Sequence, residues 1–284
     1  MNGRPASAPP SGDEAAARAD IVHIGRLMHQ HEYVDGNSGN LSVRLGPDRI
    51  LVTPAGVAKG FLEPQQLLVI DQQGLPLEPA RPGLKPTSEL LMHLEAYRRR
   101  PDVNAVIHAH PITSVALSIA GISLAECVIP EAIVVLGLVP TLPYATPASE
   151  ENQRAIREVI VGHDALILKN HGALTVGPNL WSAYLKLETL EHTARTIALA
   201  KLLGGTPSLP AEQVEKLLQS RRELGYARPG DEEEFCLACG VCHRPGEHRA
   251  PRAWTDRVAS DDAEWVKRIA EEVRQRIRES GVRG

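Results

Sequence analysis

Apolar positions recur at helical spacing from residue 13 to Tyr33, with Ile21, Ile24, Leu27 and Met28 on one stripe. The period then shortens to two. Leu41–Leu45 and Arg49–Thr53 flank Gly46-Pro47-Asp48 and predict a hairpin. Pro54–Gly60 reads as a loop, and Leu67–Asp71 as a strand turned by Gln73-Gly74. Pro86-Thr87-Ser88 opens a helix. Thr87 or Ser88 can cap it, Glu89 suits its positive end, and Leu90, Leu91, Leu94 and Tyr97 form its buried stripe, with Pro101 just past its end. Val103–Pro111 predicts a short strand stopped by proline, followed by a helix over 113–120.

Segments 128–136 and 139–144 read as short strands or loops, and 150–161 as a helix. A buried strand over 164–168, a loop over 169–172 and a return strand over 173–176 lead into one long helix. It runs from Asn179 to about Leu203 and is ended by Gly204-Gly205. The composition changes after Thr206. A helix over 211–224 precedes an acidic run at 231–234, a cysteine cluster and a Pro/Arg-rich linker. A helix from Asp261 to about Ile277 closes the chain, with Trp265, Ile269, Val273 and Ile277 at i, i+4 spacing. The expected division is a disordered N-terminus over 1–12, one domain over 13–205 and a C-terminal extension over 206–284.

His108 and His110 are two apart on a strand, so they point the same way, while Ala105, Ile107 and Ala109 fill the other face. Two imidazoles at a strand end can share a metal ion. Alone, such a pair reads rather as surface histidines, and the rest of the chain reverses that reading. His171 is the candidate third ligand, at a strand end beside Gly172, which lets the backbone bend close to an ion. Three protein ligands with one open position hold catalytic zinc. Glu89 is the candidate acid/base, or simply a carboxylate on a helix dipole. Gly39-Asn40, Ala55-Gly56 and Thr87-Ser88 can form a polar cradle for an anion, or ordinary turns.

The tail carries Cys236-x-x-Cys239-x-x-Cys242-His243, with His248 nearby. Three thiolates and an imidazole would complete a closed, structural zinc site, a second metal site beside the histidines. The same spacing suits free thiols, and a ferredoxin-type cluster would need a fourth cysteine that is missing nearby. The net charge of −4 gives no reason to expect nucleic acid or an anionic membrane as partner. No apolar run reaches the ~18–20 residues of a membrane span. The N-terminus lacks the regions of a signal peptide, so the expected location is cytoplasmic.

The order of these motifs resembles the class II aldolase/adducin superfamily, especially fuculose-phosphate aldolase-like enzymes. The matching pieces are Ser38-Gly39-Asn40-Leu41-Ser42-Val43-Arg44, Thr53-Pro54-Ala55-Gly56, Thr87-Ser88-Glu89, Arg100-Pro101-Asp102-Val103 through His108-Ala109-His110, Pro143-Tyr144-Ala145, and Asn170-His171-Gly172. They fall in the family's order across about residues 15–205. The resemblance implies an α/β fold, a three-layer α/β/α sandwich on a mostly antiparallel sheet. It implies Zn2+, or another divalent metal, at His108, His110 and His171, with Glu89 as acid/base. It also implies a substrate-anion cradle from Gly39, Asn40, Ala55, Gly56, Thr87 and Ser88, and a homotetramer acting on a small-molecule substrate.

The implied chemistry is lyase chemistry: retro-aldol C–C cleavage or formation in a hydroxy-ketone or sugar (phosphate) through a metal-stabilised enediolate. Decarboxylation and 4-epimerisation are the alternatives on the same site. The adducin branch, a binding module, lacks the metal histidines, and their presence here speaks against it. Two departures stand out. Ala55 replaces a hydroxyl residue common in phosphate-using relatives. No tyrosine stands near Cys127–Glu131, where aldolases place one from the neighbouring subunit, and Glu131 is the candidate substitute.

Overall fold

The computed structural model describes residues 12–78, 82–205, 207–228 and 230–239. A seven-stranded sheet of order β3-β2-β1-β4-β7-β6-β5 forms the middle layer. Its strands are β1 (Asn40–Gly46), β2 (Arg49–Val52), β3 (Leu68–Ile70), β4 (Ala105–Ala109), β5 (Thr141–Leu142), β6 (Ala165–Leu168) and β7 (Gly172–Gly177). Only β5 and β6 run parallel; the other pairs are antiparallel. The predicted hairpin is β1–β2, with its register shifting between Arg44 and Gly46.

The period of two sorts the side chains of β4 onto two cores. Ala105, Ile107 and Ala109 join a cluster with residues of α1 (Gly12–Gln30), α3 (Ile112–Ile119) and α5 (Leu180–Leu203). Val106 faces a second cluster, with Met92, Leu94 and Tyr97 of α2 (Leu90–Arg99) and Ile156 of α4 (Glu150–Arg157). Helices therefore cover both faces of the sheet, the α/β/α arrangement that the motif order implies. Leu180–Leu203 starts at Asn179, whose side chain accepts the Ser182 N–H at 2.8 Å.

Three local expectations change. Leu91 is 36% exposed, while Met92, His93 and Glu95 of the same helix are buried. α2 is wedged between the sheet and α4, so a simple apolar stripe does not describe it. Segment 128–136 is neither strand nor open loop: Ala132–Leu136 makes a π-helical turn ended by Gly137 at φ 67°. Arg221 donates to the Val134 and Val135 carbonyls of that turn, groups that a helix end leaves without partners. The acidic run belongs to a helix, α7 (Asp231–Cys239), and α6 (Ala211–Glu223) precedes it. The closing helix over 261–277 lies outside the described residues. Among the described residues no helix is long and apolar enough to cross a membrane.

Candidate metal centre

The C-terminal end of β4 delivers His108 and, one residue past the strand, His110. His108 sits between Asn40 of β1 and Leu174 of β7 in the sheet register. The His110 backbone N–H donates to the Tyr33 carbonyl at 2.8 Å, which fixes the chain as it leaves the strand. His171 enters from the β6–β7 turn, where Asn170 adopts φ 58°, a left-handed conformation that Asn tolerates. Gly172 must be glycine. A Cβ there would stand 2.4 Å from the Ala109 carbonyl and under 3 Å from the rings of both His108 and His110.

The three rings converge, with centroids 4.8–4.9 Å apart. The Nε2 atoms of His108 and His110 are 2.9 Å apart. Glu89 joins them, with Oε2 3.1 Å from His108 Nε2 and Oε1 3.2 Å from His171 Nε2. One ligand atom from each of the four lies within 4.8 Å of the others. His108 Nδ1–H donates to the Ala173 carbonyl at 2.9 Å, which leaves the Nε2 lone pair facing the cluster. Burial, then the neighbouring His108 and His171, push His110 down to about 4, so it is a neutral ligand at neutral pH. Burial works to raise the Glu89 carboxyl; the imidazoles of His108 and His171 outweigh it and hold the group below the usual carboxylate range. Glu89 Oε1 and His171 Nδ1 are buried without a hydrogen-bond partner. Converging lone pairs, a carboxylate and an orphaned carboxylate oxygen are what a divalent cation needs. The donor set fits one.

Behind Glu89 runs a buried polar chain that the motifs did not announce. Asn40 Nδ2 donates to Glu89 Oε2 at 2.9 Å. Asn40 Oδ1 then faces His93 Nε2 at 2.5 Å, His93 Nδ1 faces Ser42 Oγ at 2.7 Å, and Ser42 Oγ meets the Tyr97 hydroxyl at 2.8 Å. A carboxylate only accepts, so each proton in this chain has one place to go. Asn40 gives its amide to Glu89, His93 gives Nε2–H to Asn40, Ser42 gives its hydroxyl proton to His93, and Tyr97 donates to Ser42. Burial, then His108, push His93 down to about 3, so it is the neutral tautomer this chain requires. Glu89, His93 and Tyr97 are four residues apart on one helical face, opposite Asn40 and Ser42 of β1. That matched spacing is the signal that would have found the chain.

The expected cradle residues do meet. A bridge pairs Pro54 with Pro86, Ala55 N–H donates to the Lys85 carbonyl at 2.9 Å and Thr87 N–H to Thr53 at 3.1 Å. Gly39 and Gly56 have φ of 70° and 73°; the Gly56 side is open, while a Cβ on Gly39 would strike Val34. Ala55 N–H is thus already bonded, Ser88 is exposed, Thr87 Oγ1 accepts the Glu89 N–H at 3.3 Å, and the Asn40 side chain reaches Glu89 and His93. Lys59, not singled out by the motifs, is buried and donates to the Asn37 and Val57 carbonyls at 2.8 and 2.6 Å, tying two of these loops together. Burial lowers it to about 8. Glu131 lines a cleft of about 630 Å³ with Tyr33, Glu188, His192 and Arg195. Cys236 and Cys239 lie on α7, whereas Cys242, His243 and His248 lie outside the described residues.

A layered α/β frame thus gathers three imidazoles and a carboxylate at a strand end, a set that could hold a metal ion. The family model for the class II aldolase and adducin N-terminal domain matches residues 19–198, and the chain belongs to that family. It is 36% identical over 176 residues to an L-fuculose phosphate aldolase of Methanococcus maripaludis, covering 62% of this chain and 93% of the relative. It is 33% identical over 198 residues to the 3-oxo-tetronate 4-phosphate decarboxylase of Escherichia coli, covering 68% of this chain and 90% of the relative. The solved L-fuculose-1-phosphate aldolase of Thermus thermophilus superposes with a TM-score of 0.59 at 31% identity, covering 69% of this chain and 100% of that one.

Proposed function

We propose that this class II aldolase-family lyase uses zinc to break or form a C–C bond in a small phosphorylated hydroxy-ketone or sugar acid. The observation that carries the reading is the convergence of Glu89, His108, His110 and His171 within 4.8 Å. Three imidazoles and one carboxylate suit zinc, and both relatives named above act, by their names, on phosphorylated compounds. When bound, the cation supplies Lewis-acid polarisation of the substrate carbonyl and stabilises the negative charge left by C–C cleavage. Asn40 ties Oε2 of Glu89, so Oε1 is the oxygen left to carry a proton. In aldol cleavage Glu89 Oε1 takes the proton of the hydroxyl that becomes the aldehyde oxygen, the C–C electron pair stays on the carbon beside the carbonyl as the aldehyde departs, and Glu89 returns that proton to the carbon. Gly56 N–H, Ser88 and Thr87 serve the phosphate in this reading.

A second reading is decarboxylation of a 3-oxo acid phosphate on the same groups, with carbon dioxide leaving in place of the aldehyde. It is favoured by the match to the decarboxylase and by the lack of a tyrosine from Cys127 to Glu131. Assembly as a homotetramer is part of the proposal: Ile112, Ile119, Leu185 and Leu199 of α3 and α5 are all more than half exposed and offer apolar surface to a neighbour. The test is a paired assay of zinc-loaded protein. Aldehydes are offered with dihydroxyacetone phosphate or its unphosphorylated form, and 3-oxo acid phosphates are followed for carbon dioxide release. Turnover of a phosphorylated compound, abolished by chelation and restored by zinc, is expected. Turnover that survives full metal removal would sink the proposal.

A further inference from the structure

The turns that would hold a substrate anion offer few free donors. Ala55 has no hydroxyl, its N–H is bonded to the Lys85 carbonyl, and the Asn40 side chain is engaged by Glu89 and His93. None of Gly39, Asn40, Ala55, Gly56, Thr87 and Ser88 carries a positive charge. A phosphate held by these groups alone would bring its two negative charges toward the Glu89 carboxylate with nothing to offset them.

Lys59 stands behind these turns. It is 2% exposed, and its Nζ donates to the Asn37 carbonyl at 2.8 Å and the Val57 carbonyl at 2.6 Å. Asn37 lies two residues before Gly39, and Val57 directly follows Gly56. The ammonium is therefore tied to both turns at once. Gly56 has open space where a Cβ would stand, so the cradle side has room. The far side is packed: a Cβ on Gly25 of α1 would stand 2.5 Å from the Lys59 carbonyl, and one on Gly60 would strike the His29 ring. A buried ammonium is costly unless it is paired. Burial lowers Lys59 to about 8, so it keeps its proton at neutral pH. Glu89 is the carboxylate that acts on it, from beyond ion-pair distance, and Glu89 already faces the His108 and His171 imidazoles. Two carbonyl dipoles orient the charge but do not cancel it. A strut that only joined two loops would need no charge.

We infer that Lys59 is the counter-charge of the substrate-anion site, set behind the Gly39 and Gly56 turns, and that it selects a dianionic group such as a phosphate monoester over an uncharged hydroxyl. The inference rests on the reading of the substrate as phosphorylated. Lys59 acts through its field and through the two turns it ties, so it is a positioning residue.

The experiment titrates sulfate into the zinc-loaded full chain by calorimetry, from about pH 6.5 to about pH 9.5. Sulfate is a dianion throughout, so a pH step in its affinity belongs to the protein. The affinity should fall about tenfold as pH rises through about 8, because deprotonated Lys59 no longer attracts the anion. Lys59→Met should bind about tenfold more weakly at pH 7 and show no step. Lys59→Arg keeps its proton over this range and should bind without the step. The series is repeated after chelation, since water on a bound metal also titrates near neutrality, and the step should persist. If Lys59→Met fails to fold, the wild-type series with and without metal still decides. A flat wild-type profile, a step that survives in Lys59→Met or vanishes on chelation, or no sulfate binding at all would overturn the inference. No reading here needs turnover, so failure of the paired assay above is told apart from failure of the anion site.

Discussion

β4 has a polar cluster at each end, and the two are built on opposite rules. At its start, Arg100 lies 2.7 Å from Asp102 and 2.9 Å from Asp164, and Asp164 also binds Lys186 at 2.7 Å and Arg228 at 2.5 Å. Lys186 also donates to the Val176 carbonyl, and Arg100 to that of Ile160. Three cations meet two carboxylates, and the partly buried Asp164 is surrounded by donors. At the other end three imidazoles and Glu89 meet with no Lys or Arg among them, and two buried atoms there lack partners. Both clusters contain buried members, Arg100 and Lys186 at one end and Glu89 and His108 at the other, and bridge distant segments. A network that neutralises itself holds the fold together, while one that gathers lone pairs is suited to a cation supplied from outside.

At the lone-pair end the effect is on metal and turnover. His110→Ala should reduce metal at that site to trace and activity to background while the melting temperature of the metal-free protein stays near wild type, since the charge network is untouched. Metal retained in full at that site would remove His110 from it. Glu89→Gln keeps three imidazoles, so metal should remain while kcat falls about 10²–10⁴-fold, the range of general acid–base groups. A near-normal kcat would make Glu89 a mere helix-start carboxylate and move attention to Glu131.

At the charge end the effect is on stability. Asp164→Ala strands Lys186 and Arg100 and should cost about 3–5 kcal/mol in urea unfolding, with the histidine-site metal unchanged per folded chain. Burial works to raise the Asp164 carboxyl, but Lys186 and Arg228 outweigh it and hold it below the usual range. A depressed carboxylate stabilises the fold above its unfolded pKa of about 3.9 and loses that contribution as pH falls through the folded value. The substitution should therefore flatten the acid limb of stability below about pH 4. An unchanged acid limb would show that the network does not hold its charge.

The lone-pair end was far more legible in the sequence than the charge end. His108 and His110 share a strand face by simple alternation, and His171-Gly172 announces a tight turn. Asp164 is separated by 64 positions from Arg100, and its own surroundings read as a plain strand start. The same limit hid α7, where acidic residues and cysteines mask a helix. The chain behind Glu89 was half legible. Tyr97 is on the predicted buried stripe of α2, but His93 reads as one more polar residue until Ser42 and Asn40 are set opposite it.

The chain behind Glu89 is a satisfied network serving an unsatisfied one. The hydrogen bonds of His93 go to Asn40 and Ser42, not to the lone-pair cluster itself. His93 fixes the Asn40 amide, which in turn fixes Oε2 of Glu89. His93→Leu removes the Nε2–H donor, lets the Asn40 amide turn over and presents its oxygen to a carboxylate. Indirect partners of this kind typically cost 10–100-fold, so about that loss in kcat is expected with KM nearly constant. His93→Gln keeps an N–H for Asn40 and an acceptor for Ser42, and should recover most of the loss. A buried residue with a packing role alone would not show that rescue. The stability of the two variants adds a second reading. His93 is held neutral down to about pH 3, whereas an unfolded histidine takes a proton near 6.5. Between those values the unfolded chain binds the extra proton, so native stability falls as pH falls, and both substitutions should remove that slope. If His93→Leu and His93→Gln are equally slow, or if the slope survives in both, the chain does not orient Glu89 and the two ends of β4 differ only in their charges.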